Sequence, residues 1–110
     1  MSVMVTGTTI VMTRGDTLRL GIAINNSDGT PYEPAEGDII RFAAKRAYTD
    51  VEPCILKNIP SDTCELLLEP SDTKNLEQPC LLLYDIEITM TDGTVDTFMT
   101  GKLKITEEVY

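Results

Sequence analysis

At 110 residues the chain has the length of one domain, 1–110, and can bury ~65% of the surface its unfolded form would expose, enough for a core without disulfide or metal staples. Hydrophobic residues make up 42%, aromatics 5% and Trp none, so that core is expected to be aliphatic. Eighteen acids against nine cations leave a net charge of −9. The cations are scattered along the sequence, which speaks against nucleic acid and anionic membranes as partners.

Short β-like runs recur between clusters of Gly, Pro, Asn, Asp and Ser. Thr8–Met12 is the first expected strand, closed by Arg14-Gly15-Asp16; Leu18, Leu20, Ile22 and Ile24 alternate to make the second. Asn25–Gly29 is turn chemistry, and the segment 30–38 with Pro31, Pro34 and three carboxylates reads as an exposed loop. Ile40, Phe42 and Ala44 mark a third strand. Cys54–Ile59 and Thr63–Leu68 read as two more, joined so tightly by Pro60-Ser61-Asp62 that an antiparallel meander is expected. Pro70–Leu76 suits a single helical turn, with Ser71 as N-cap and Leu76 folded onto the core, and no longer helix is expected.

The strongest local signal lies at 81–105. Leu82, Tyr84, Ile86, Ile88 and Met90 alternate with Leu83, Asp85, Glu87 and Thr89, and Asp92-Gly93 then leads into a second alternating run. This pattern predicts an antiparallel hairpin. A two-residue loop would pair Met90 with Val95 and Ile88 with Thr97, leaving Phe98 on the outer face; a bulged loop would bring Phe98 into the core. Seven to eight strands with turns every 8 to 12 residues predict an all-β fold, an immunoglobulin-like antiparallel β-sandwich. The paired sequences Asp28-Gly29-Thr30 and Asp92-Gly93-Thr94, and Pro60–Thr63 against Pro70–Thr73, read as recurring turn chemistry and not as duplication.

Chemistry is sparsely signalled. With no His, Ser-His-Asp and Cys-His catalysis and His-containing zinc sites are excluded. A pair of carboxylates as in glycoside hydrolysis stays open in principle, but most acids sit in expected turns, and the reading is that the chain is not an enzyme and uses no cofactor. The oxygen-rich run Asn26–Gly29 with Glu33, Glu36 and Asp38 lacks the spacing of a calcium loop, and the glycines form no phosphate cradle, so neither metal nor nucleotide is expected. Arg14-Gly15-Asp16 matches an adhesive tripeptide but is also an ordinary turn. Cys54, Cys64 and Cys80 are odd in number and far from Cys-x-x-Cys spacing, which predicts free, buried thiols, with a Cys54–Cys64 bridge as the alternative. Leu81, Leu83 and Ile39 fall on the outward face of their strands if the alternation holds and are the candidate partner contacts, with a strand buried on both sides as the alternative.

Three segments in order carry a family resemblance: Met12–Thr17 leading into an alternating strand, Gly37–Phe42, and Leu83–Ile88 followed by Asp92-Gly93 and Ile105–Val109. Together they resemble the small β-sandwich domain of phage tail proteins related to the N-terminal domain of baseplate upper proteins of phages and prophages of low-GC Gram-positive bacteria. The resemblance implies a virion structural module that docks into a tail or baseplate through other tail proteins, with homo-oligomers expected. It offers no catalytic residues. The receptor-binding region of longer relatives is expected to be absent or separate, since the chain stops at Tyr110. The absence of an apolar run of ~18–20 residues and of a signal-peptide pattern implies a soluble protein made in the bacterial cytoplasm, with no membrane partner. A stand-alone carbohydrate-binding or adhesive module is the rival reading, weakened by the lack of Trp.

Overall fold

The computed structural model describes residues 4–6, 9–25, 28–47, 49–76 and 80–107. Eight strands and one short helix follow in chain order: β1 (Met4–Thr6), β2 (Thr9–Thr13), β3 (Leu18–Gly21), β4 (Ile39–Lys45), β5 (Ile55–Ile59), β6 (Glu65–Leu68), α1 (Pro70–Lys74), β7 (Cys80–Thr89) and β8 (Val95–Thr106). The larger sheet has the order β1-β2-β8-β7-β4-β5, and β3 and β6 form a second sheet of two strands. The fold is therefore all-β, as the alternation predicts.

Both sheets contribute to one buried cluster. Phe42, Leu82, Ile86, Leu103 and Ile105 from the inner face of the larger sheet meet Leu18, Leu66 and Leu68 of the smaller one, and all are essentially inaccessible to water. Phe42 stacks on Tyr84 at 5.3 Å between ring centroids, so two of the few aromatics are spent at its centre. Apolar burial of this kind is the main source of folding free energy, at ~25 cal/mol per Å² of apolar surface.

Four expectations about connectivity and caps are corrected. The larger sheet is mixed, because β2 runs parallel to β8, with Ile10 opposite Leu103 and Met12 opposite Ile105. No hairpin constrains this pair: β2 lies at the start of the chain and β8 at its end, and each orientation buries the same inner side chains. The expected 54–59 to 63–68 meander does not form either. β5 pairs with β4 and β6 with β3, so the chain changes sheets in the tight turn between them. Cys64 takes φ +50° there, its N–H donating to the Pro60 carbonyl at 2.8 Å and its carbonyl accepting from Ile22 N–H at 2.8 Å. The second strand also ends early, at Gly21, although Ile22 and Ile24 stay buried. Finally, α1 is capped by Glu69 and not by Ser71. Pro70, lacking an N–H, fits the first helical position, and Asp72 Oδ2 accepts from Glu69 N–H at 2.7 Å to close a capping box. Leu76 packs against the core as expected.

The hairpin forms with a different loop. Gly93, at φ +92°, donates to the Met90 carbonyl at 2.9 Å, and Met90 N–H donates to Thr94 O at 2.8 Å, making a three-residue loop of a turn followed by a left-handed glycine. Thr89, not Met90, lies opposite Val95. Between the Glu87–Thr97 and Ile86–Met99 pairs Phe98 is left unmatched, a β-bulge that restores from Met99 onward the register of a two-residue loop. Phe98 is half-buried against the core as a result.

The same turn chemistry recurs as expected at both Asp-Gly-Thr sites. Asp28 Oδ1 accepts from Thr30 N–H at 3.0 Å, and Asp92 Oδ1 from Thr94 N–H at 2.8 Å. The segment 31–38 is held by one polar knot: Asp38 Oδ2 accepts from Tyr32 Oη–H at 2.6 Å and from Ala35 N–H at 2.8 Å. The Tyr32 bond, then the Ala35 bond, holds the Asp38 carboxyl below its ordinary 3.8, and the same bond raises the Tyr32 hydroxyl above its ordinary 10.0. A depressed carboxylate pKa contributes stability above pH 3.8 that is lost as pH falls through the folded-state value; a raised Tyr pKa contributes stability below pH 10.0 that is lost as pH rises through its folded-state value. Tyr32→Phe is accordingly expected to flatten the acid side of the stability profile. Urea midpoints at pH 7 and pH 2.5 test this, and an unchanged difference between the two would contradict it.

Candidate partner-docking face

Pairing in the larger sheet fixes which side chains share its outer face. From one end to the other, rows across the strands are Thr13 and Thr106; then Val11, Lys104 and Leu81; then Thr9, Lys102, Leu83 and Lys45; then Thr100, Asp85, Ala43 and Leu56; then Thr97, Glu87, Arg41 and Asn58; and last Val95, Thr89 and Ile39. No described element covers this face. Leu81 is 50% exposed and Leu83 half-buried, and they lie two residues apart on one strand. Ile39 is 48% exposed but pairs with Thr89, six residues from the Lys45–Leu83 pair and so ~20 Å away along the strands at ~3.3 Å per residue. The structure therefore joins Leu81 with Leu83 and sets Ile39 at the far end, beside Val95, which is 58% exposed.

Two features of this face were beyond sequence reading. Val95 completes the Ile39 row only because the loop holds three residues; the two-residue register puts it opposite Met90. Lys45, far in sequence from Lys102 and Lys104, joins them around Leu81 and Leu83. Alternation on β8 places Lys102 and Lys104 outward, but the neighbourhood of Lys45 follows from the pairing of β4 with β7. Arg41 and Glu87 stand 4.0 Å apart in the middle of the face, a partly exposed pair of small energetic weight.

The other candidates resolve into structural roles. Arg14-Gly15-Asp16 is a turn stapled to α1: Gly15 N–H donates to Thr73 Oγ1 at 2.8 Å, Arg14 donates to the Lys74 carbonyl, and Arg14 N–H donates to Thr106 O at 2.9 Å. The guanidinium of the adhesive tripeptide is thus engaged within the fold. Lys57 points inward from edge strand β5 and meets Asp72 at 3.0 Å and Glu69 at 3.7 Å, which raises its pKa, chiefly through the Asp72 bond. An inward-pointing charge of this kind discourages edge-to-edge sheet growth. Asp38 serves the knot described above, while Glu33 and Glu36 stand exposed and Asn26 and Ser27 lie outside the described residues.

All three cysteines are free, and no Cys54–Cys64 bridge forms. The expectation of buried thiols is corrected for Cys54, which is exposed just before β5; Cys64 and Cys80 are half-buried. The described aromatics turn inward: Phe42 and Tyr84 are buried and Tyr32 and Phe98 half-buried, while Tyr48 and Tyr110 lie outside the described residues. Among the described residues no three acidic or cysteine side chains are gathered as metal ligands would be, and no helix is long and apolar enough to cross a membrane. Comparison with protein-family models, with curated proteins and with solved structures returns no match.

Proposed function

We propose that this chain is a non-enzymatic structural module of a phage or prophage tail, associated with the baseplate, that works through protein contacts made on the outer face of its larger sheet. The observation that carries the reading is the uncovered Leu81–Leu83 pair framed by Lys45, Lys102 and Lys104 on a rigid sheet. Apolar side chains ringed by polar ones are the composition of docking surfaces, and a sheet presents them without the entropy cost of ordering a loop.

The finer fold assignment belongs to the same reading. An immunoglobulin-like sandwich is supported by the two-stranded β3–β6 sheet sharing a core with β2-β8-β7-β4-β5, by a chain that changes sheets four times, and by a first long strand lying parallel to the last. The tail assignment draws on the strand and turn residues that resemble baseplate upper proteins. Tail particles purified from cells producing this protein are expected to contain it in fixed proportion to the major tail protein, by quantitative mass spectrometry. Its consistent absence from such particles, with the protein found only in the unassembled fraction, would overturn the assignment.

A further inference from the structure

Strand β3 of the smaller sheet has an open edge. Ile22 N–H donates to the Cys64 carbonyl at 2.8 Å, continuing the register of the Gly21–Glu65 pair, so Leu18, Leu20 and Ile22 turn their backbone groups toward β6. By the alternation of an antiparallel ladder Arg19 and Gly21 turn theirs away, and no described residue bonds to those groups on that side. A row of unpaired N–H and C=O groups is a template for another strand. At the edge of the larger sheet β5 carries the inward Lys57 that opposes such pairing, whereas β3 has no proline, no bulge and no inward charge.

Two further features of β3 fit an added strand. Leu20 shares the inner side of the sheet with Leu18 and Leu66, yet it stays half-buried where those two are fully covered. Gly21 is exposed, takes no positive φ, and a Cβ on it would meet nothing within 4 Å. No contact within the chain therefore calls for glycine at a position where glycine weakens a strand, and the close approach of a second backbone is one cause of such a glycine.

We infer that this edge pairs with β3 of a second copy of the chain, antiparallel, about a two-fold axis perpendicular to the sheet at Leu20. In that register Arg19 of each copy faces the partner's Gly21, and the two pairs form four N–H···O=C bonds that use every edge-facing group of both residues. The two Leu20 side chains meet on the inner side at a non-hydrogen-bonded position, where side chains stand closest, and cover each other. Centring on Arg19 instead would set like charges directly opposite. On the outer side each row reads Leu67, Arg19, then the partner's Gly21 and the partner's Glu65. Gly21 leaves an open lane across which Arg19 reaches the partner's Glu65, ~10 Å away from Cα to Cα at two strand spacings. Arg19 already lies 3.1 Å from Glu65 of its own chain, so the pairing gathers two cations and two anions into one alternating cluster. This match of charge across a glycine, on a strand whose free backbone groups are self-complementary, is what names a second copy as the occupant. The edge belongs to the smaller sheet, so the inference goes beyond the outer-face reading and is independent of it.

The test is amide hydrogen exchange of the intact protein, followed residue by residue by NMR from ~10 μM to ~1 mM, with sedimentation equilibrium on the same samples, because an interface this small is weak. A monomer–dimer equilibrium is expected in which the Arg19 and Gly21 amides gain protection with concentration while the Leu18 and Leu20 amides are protected throughout. Gly21→Pro removes two of the four bonds without touching those to β6 and is expected to raise the dissociation constant ~30-fold. Gly21→Val fills the lane but suits a strand, so it is expected to weaken the dimer ~10-fold while the urea midpoint stays at or above that of wild type. Leu81→Thr/Leu83→Thr is expected to dimerise as wild type does. Monomer at every concentration, a dimer whose Arg19 and Gly21 amides exchange unchanged, a Gly21→Val dimer as tight as wild type, or a dimer lost in Leu81→Thr/Leu83→Thr would each overturn the pairing.

Discussion

Phe42→Ala is expected to lower the stability of the fold by ~3–5 kcal/mol, the range for removing a fully buried aromatic ring. Phe42 has no accessible surface, lies mid-strand in β4 and stacks on Tyr84 with 29° between the rings. Its loss leaves a cavity between the two sheets that neighbours on strands tied at both ends cannot collapse into. Against a total stability of ~5–15 kcal/mol for a domain of this size, the variant is left marginal or unfolded. Phe42→Leu keeps most of the volume and is expected to lose much less. Urea denaturation followed by far-UV circular dichroism compares them, and equal midpoints for Phe42→Ala and wild type would show that Phe42 is not the keystone of the core.

The second large effect falls on assembly and leaves stability nearly untouched. Leu81→Thr/Leu83→Thr removes two leucine side chains from the outer face and puts in their place β-branched residues suited to a strand. Leu81 is half exposed and nothing described packs over either residue, so the folded chain is expected to change by no more than ~0.5–1 kcal/mol. At an interface the same truncation removes ~1–2 kcal/mol per leucine, or roughly 100-fold in affinity for the pair. A large effect on binding with a small one on folding separates a docking face from an ordinary surface.

How far the sequence foretells this molecule depends on whether the governing interaction is local. The long hairpin, the inward set Leu82, Tyr84, Ile86 and Ile88, and the outward set Leu81 and Leu83 follow from period-two alternation around Asp92-Gly93, because side-chain direction in a strand is fixed by parity. Parity cannot choose between two-residue and three-residue loops, both of which use Asp-Gly, so the placement of Val95 and the bulge at Phe98 were not legible. Pro60-Ser61-Asp62 looks like a hairpin turn. Its redirection into the other sheet comes from a left-handed Cys64, a conformation for which cysteine carries no sequence signal. The parallel β2–β8 pair joins the two ends of the described chain and leaves no local trace. Ser71 has the better capping propensity, yet Pro70 fixes where the helix starts and so makes Glu69 the cap.

The candidate site divides the same way. Exposure of Leu81 and Ile39 could be read from alternation, whereas their separation by the length of the sheet, and the gathering of Lys45 with Lys102 and Lys104, depend on which strands neighbour one another. Cations that are scattered in a sequence of net charge −9 thus come together at one end of the outer face.

The most direct measurement of the docking claim is incorporation of Leu81→Thr/Leu83→Thr into tail particles in competition with wild type, read by quantitative mass spectrometry, with urea midpoints taken on both proteins. Matched midpoints and strong exclusion of the variant from particles are expected. Equal incorporation of a variant as stable as wild type would contradict it.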